Sequence, residues 1–166
     1  MPSVKDWDRF YINQAIELSN FSKAIRDKVG AVLVKNNRAI ANGYNGTAPG
    51  TDNTCEDLFT VTENGVQVVS DVRFGYDSYL RFPDKYKLVT KNTVSHAEEN
   101  LIAYCARNGI SCDSATIYIT RNPCMPCARL LANAGIQRVV YLGEYRDESA
   151  ISYLRNLNIL IEKFND

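Results

Sequence analysis

The chain has 166 residues, 45% of them hydrophobic, and its nineteen basic and nineteen acidic side chains cancel to no formal net charge. That predicts one compact domain over residues 1–166 with an ordinary core, and argues against a polynucleotide-gripping surface, which is usually basic or strongly patched. No apolar run approaches membrane-spanning length and the first residues lack the apolar stretch of a signal peptide, so the expectation is a soluble, cytoplasmic protein.

Residues from Asp6 to about Ala24 predict an amphipathic helix. Trp7, Phe10, Tyr11, Ala15, Leu18 and Phe21 recur at three- and four-residue spacings, with Asp6 as a plausible N-cap. Val29 to Val34 reads as a buried strand, Asn36-Asn37 as a turn, and Ala39-Ile40-Ala41 as the start of a second strand of a hairpin. From Gly43 to Gly50 the glycines and the proline predict a shaped loop whose backbone can approach a ligand.

The segment from about Cys55 to Asn92 differs in character. Two β-rich runs, 59–63 and 66–69, flank Asn64-Gly65, a strong hairpin signal. An aromatic and basic run follows, including Phe74, Tyr76, Tyr79, Arg81, Phe82, Lys85, Tyr86 and Lys87. Such interleaving can bind single-stranded nucleic acid. The plainer reading is an insertion packed on the core or on another subunit.

Beyond it the chain alternates in the manner of an α/β layer structure. A helix is predicted from His96 to Arg107, stopping at Asn108-Gly109. A strand over 115–120, a helix from Cys124 to Ala134 and a strand over 138–142 follow. A helix from Glu148 to Asn156 and a last strand over 159–161 complete the pattern.

His96 is the chain's only histidine, and any imidazole chemistry happens there. Pro123-Cys124-Met125-Pro126-Cys127 adds two thiols in C-x-x-C spacing. One imidazole and two thiolates suit zinc and leave its fourth tetrahedral position to water, the arrangement of a catalytic site. Both segments open helices, where free amides and the positive dipole end favour thiolates and a carboxylate. Glu98, two residues after the histidine, is placed to move protons. The pattern H-x-E followed by P-C-x-x-C marks zinc nucleobase deaminases. The competing reading makes Ser95 and Glu98 a capping box, with Glu98 merely ending its helix. Glu99 falls outside the pattern and reads as a solvated residue. Cys55, Cys105 and Cys112 read as free thiols.

Taken together, residues 29–34, Gly43-Tyr44-Asn45-Gly46, Ser95-His96-Ala97-Glu98, residues 117–120 and 123–127, and the stretch 141–146 resemble the deoxycytidylate (dCMP) deaminases of the cytidine deaminase-like superfamily. The resemblance covers most of the chain apart from the insertion. It implies a three-layer α/β/α fold with a five-stranded mixed sheet, and a homohexamer. It also implies hydrolysis of dCMP to dUMP and ammonia, with zinc on His96, Cys124 and Cys127 and with Glu98 carrying protons. Asn45 matches the asparagine that contacts the deoxyribose, and Tyr118 the tyrosine on which cytosine stacks. Ala97 and Pro123 join the substrate contacts. Arg26 matches a phosphate-binding cation, with Tyr145 and Arg146 as weaker candidates. dCTP as activator and dTTP as inhibitor, carrying Mg²⁺, are expected at Gly43, Tyr44, Asn45 and Gly46. The second, structural zinc of many members is not expected, since the insertion offers only Cys55 and no histidine. Three alternatives stand beside this reading: a polynucleotide deaminase acting on tRNA or DNA, dCTP as an additional substrate, and a zinc-stabilised interaction domain without activity.

Overall fold

The first helix, α1 (Val4–Ser19), opens at Ser3 rather than at Asp6. The Ser3 hydroxyl accepts from the Asp6 amide at 3.2 Å, and the Asp6 carboxylate accepts from the Ser3 amide at 2.7 Å. Asp6 is thus the third helical residue of a capping box, satisfying two amides that the helix leaves open. The helix also ends earlier than its apolar spacing predicts. Asn20 is the C-cap, and Ser22 is drawn inward to donate its hydroxyl to the Asn45 carbonyl at 2.8 Å.

The computed structural model describes residues 2–62, 65–71, 77, 79–144 and 148–165. After α1 come β1 (Gly30–Lys35), β2 (Arg38–Tyr44), β3 (Gly46–Thr47), β4 (Glu56–Thr62), β5 (Gly65–Asp71), β6 (Tyr86–Thr90) and β7 (Val94–Ser95). Then follow α2 (Ala97–Asn108), β8 (Thr116–Arg121), α3 (Met125–Asn133), β9 (Arg138–Gly143), α4 (Ser149–Asn156) and β10 (Leu160–Lys163). The chain divides into two units. One holds Met1–Ser22, Lys28–Asn45 and His96–Asp166, and the other Lys23–Asp27 and Gly46–Ser95.

The larger unit is built on a five-stranded sheet in the order β10-β9-β8-β1-β2. β8, β9 and β10 are parallel, while β1 runs antiparallel to both β8 and β2, which makes the sheet mixed. Asn36 and Asn37, at φ 51° and 58°, turn the β1–β2 hairpin, as residues that tolerate left-handed backbone do. Helices α2, α3 and α4 cover one face, where Leu33, Leu101, Ile117, Ile119, Leu131, Val139 and Leu154 form the main core. Helix α1 covers the other with Tyr11, Ile12 and Ala15 against Val32, Val34, Tyr118 and Val140. Alternate residues of one strand therefore serve opposite layers, as strand geometry requires.

Gly43 and Tyr44, expected in a loop, instead complete β2. A Cβ at position 43 would lie 2.6 Å from the Ala97 carbonyl oxygen and 3.0 Å from the Leu101 amide nitrogen. The glycine is there because helix α2 crosses the strand at backbone distance.

The smaller unit carries a three-stranded sheet in the order β5-β4-β6. The predicted hairpin is β4 with β5, antiparallel, and Thr62 faces Gly65. Residues 63 and 64 between them, like Phe74 and Tyr76 of the aromatic run, lie outside the described residues. Glu56, fully buried, accepts from the amides of Ile25 (3.1 Å) and Arg26 (3.3 Å) and fastens segment 23–27 to this sheet.

Candidate active site

Two helix N-termini meet on the main-core side of the sheet. His96 is the N-cap of α2, and Cys124 the N-cap of α3, so the ligand-bearing residues stand where each helix begins. Pro126 lies in the first turn of α3, where a missing amide hydrogen costs nothing. The ligand atoms of His96, Cys124 and Cys127 fall within 4.8 Å of one another, the one such group of three among the described residues. The two sulfurs lie 3.5 Å (Cys124) and 3.4 Å (Cys127) from His96 Nδ1. Zinc bonded tetrahedrally to sulfur and nitrogen at its usual lengths sets those atoms about 3.5–3.6 Å apart. The residues fit zinc in donor type, number and spacing.

The three groups strongly polarise one another. Contact with Cys127, and then with His96, lowers the Cys124 thiol to about 4. The reciprocal contact with Cys124, reinforced by burial, drives the Cys127 thiol upward. His96 rises to about 9, chiefly through the Cys124 sulfur. A metal dication bound here would displace the protons that His96 and Cys127 hold, because a coordinating thiol is deprotonated outright. Glu98, only 3% exposed, is raised to about 7 by desolvation.

The cap of α2 is made by a different carboxylate from the one expected. Because His96 rather than Ser95 is the N-cap, the third helical residue is Glu99, whose carboxylate accepts from the His96 amide at 2.7 Å. Glu99 is therefore no solvated bystander, and Glu98 is not the capping residue. The signal was legible as a register, three residues on from His96, once the cap is set one residue later.

Ala97, fully buried, and Pro123, also buried, flank the ligands in sequence. Asn45 belongs to the same unit, and its side-chain oxygen accepts from the Val29 amide at 2.8 Å. Tyr118 is not brought to the cluster. Its ring lies in the α1 layer, 5.1 Å from that of Tyr11, and its hydroxyl donates to Asp8 Oδ1 at 2.7 Å. Ile117 and Ile119 take the side of the sheet facing α2 and α3, so strand alternation turns Tyr118 away. Its expected stacking on a base is corrected accordingly. Arg26 is an exposed residue of the smaller unit, 3.4 Å from the Thr90 hydroxyl. Tyr145 and Arg146 lie outside the described residues. Asn100 carried no sequence expectation. Its spacing four residues after His96, on one helical face, was the available signal.

The model of the MafB19-like deaminase family matches residues 5–165. The chain is 37% identical over 139 residues to a deoxycytidylate deaminase of Mycobacterium phage D29, covering 84% of this chain and 96% of the relative. It is 34% identical over 142 residues to the deoxycytidylate deaminase of Enterobacteria phage T4, covering 77% and 73%. Among solved structures, the dCMP deaminase of cyanophage S-TIM5, in complex with dCMP and dUMP, superposes with a TM-score of 0.72. That pair is 31% identical, with 93% of this chain and 94% of the other covered. A family model spanning nearly the whole chain, and relatives matched over most of their own length, place this protein among the deoxycytidylate deaminases of the cytidine deaminase-like fold.

Proposed function

We propose that this deaminase hydrolyses dCMP to dUMP and ammonia, with zinc held by His96, Cys124 and Cys127. The observation that carries the reading is a buried carboxylate, Glu98, beside three ligand atoms at zinc spacing. The substrate is supported by the names of the relatives and by the solved structure that contains dCMP and dUMP. Zinc bound by these three residues would supply a water acidified towards a pKa of roughly 7. Glu98 takes a proton from the attacking water and passes it to the ring nitrogen, then takes the remaining proton from the oxygen newly bonded to the ring carbon and delivers it to the amino group, which leaves as ammonia. Burial favours the protonated form through which each of these transfers passes. Backbone at the starts of α2 and α3, at Ala97 and Pro123, borders the base. Asn45 holds the deoxyribose, and Arg26 takes the 5′-phosphate.

Glu98→Gln keeps the shape of the side chain but cannot shuttle protons. The expected result is full zinc content by elemental analysis with ammonia release from dCMP reduced about 10²–10⁴-fold. Release at the parental rate would overturn the mechanism.

Regulation belongs to the same reading. dCTP as activator and dTTP as inhibitor, each with Mg²⁺, act at Gly43-Tyr44-Asn45-Gly46 in a homohexamer. The sequence resemblance and the exposed ring of Tyr44 support this.

A further inference from the structure

Asn45 makes three hydrogen bonds to two parts of its own unit. Its amide donates to the Val29 carbonyl at 3.0 Å, and its side-chain oxygen accepts from the Val29 amide. Its carbonyl accepts from the Ser22 hydroxyl. These bonds fix Asn45 to the start of β1 and the turn after α1. Asn100 ties the same stretch to the helix that carries His96 and Glu98. Its Nδ2 donates to the Tyr44 carbonyl at 2.8 Å, so the peptide group joining Tyr44 to Asn45 is gripped on both sides. The backbone amide of Asn100 meanwhile donates to the His96 carbonyl at 3.0 Å, closing the first turn of α2. One residue thus touches the main chain of the metal ligand and the main chain beside Asn45. Next to it, Gly43 lies against the Ala97 carbonyl with no side chain between them.

We propose that Asn100 is a positioning residue: its carboxamide sets Asn45 at a fixed offset from His96 and Glu98, so that sugar and cytosine ring are presented together. The proposal rests on the reading of Asn45 as the deoxyribose contact. It gives Asn100 no contact with substrate.

The test is a double-mutant cycle on dCMP using Asn100→Ala, Asn45→Ala and both together, with zinc content and Tm measured for each. Asn100→Asp repeats the cycle with a side chain of the same shape that lacks the amide donor. The expected result for Asn100→Ala is a loss of about 3- to 10-fold in kcat/KM, the net worth of one hydrogen bond, and for Asn100→Asp, whose carboxylate opposes the Tyr44 carbonyl, a loss at least as large, both falling on KM with zinc retained. In the Asn45→Ala background the same substitution is expected to cost nothing further. A full, multiplicative loss in that background, a loss confined to kcat, or no loss at all would overturn the positioning role while leaving Asn45 at the sugar. An unchanged kcat/KM for Asn45→Ala alone would overturn the sugar reading, and the positioning role with it.

Discussion

Glu98 and Glu99 are chemically alike and adjacent, yet the helix separates their fates. Each residue of an α-helix is turned by about 100° from the last, so one carboxylate is sealed beside the ligand cluster while the other reaches back to the His96 amide. Two substitutions distinguish these roles. Glu99→Ala loses a cap, and caps are worth about 1 kcal/mol, or about 2–4 °C in Tm for a chain of this size. Its turnover should fall far less than that of Glu98→Gln. Arg26 has a separate test. If it binds the 5′-phosphate, Arg26→Ala should depress kcat/KM for dCMP about 10- to 150-fold more than for deoxycytidine, the value of a charge-assisted hydrogen bond. Equal losses on the two substrates would remove Arg26 from the phosphate site. The ligand triad was legible because residue type and spacing alone define it. Tyr118 was misplaced because a motif gives its neighbours in sequence but not the side of the strand on which it points.

At the level of elements, the end of β2 and the anchoring of α1 carry the most consequence. Gly43→Ala would force a methyl group to within 2.6 Å of the Ala97 carbonyl. Overpacking of this kind costs about 1–3 kcal/mol, and here the strain falls on the first turn of α2, so urea stability and kcat should fall together. Helix α1 is fastened by Asp8, which Arg138 meets with two bonds of 2.8 Å and Tyr118 with one of 2.7 Å. Burial pushes the Asp8 carboxyl up, but these bonds outweigh it and hold the group below its ordinary 3.8. A depressed folded pKa stabilises the protein above the unfolded value and stops doing so as pH falls through the folded one. Asp8→Asn should therefore cost about 1.5–3 kcal/mol at pH 7 by urea unfolding, with the gap closing in acid below pH 3.8. Strands and helices were readable here from periodicity. The strand character of Gly43 was not, because glycine signals a loop and a close helix crossing equally well. The cap at Ser3 was missed for a related reason: Asp6 and Ser3 both suit an N-cap, and only the start of the helix decides between them.

For the whole molecule, topology dictates which layer each helix joins. β8, β9 and β10 are parallel and are laid down in one direction across the sheet. Two right-handed crossovers running the same way put α3 and α4 on the same face, which leaves the opposite one to α1. No helix among the described residues is long and apolar enough to cross a membrane. Regulation, if it follows the proposed reading, is a property of the assembly and has a thermodynamic signature. Substrate must alter the affinity for dTTP by the factor with which dTTP alters affinity for substrate. Calorimetric titration of dTTP with and without an unreactive dCMP analogue should give different affinities. Identical values, with activity indifferent to dCTP and dTTP, would leave an unregulated enzyme.

The lone helix on its face also has a history in time. Tyr11 rests on Tyr118, and its layer closes only when Val140 is in place, although α1 is made long before either. At usual translation rates roughly 5–25 s separate those events, and throughout them the apolar stripe of α1 lacks the part of its native cover that Tyr118 and Val140 supply. The growing chain is most exposed to mispairing in that interval, so conditions that slow synthesis between residues 20 and 140 should lower the yield of soluble enzyme without changing the stability of what does fold.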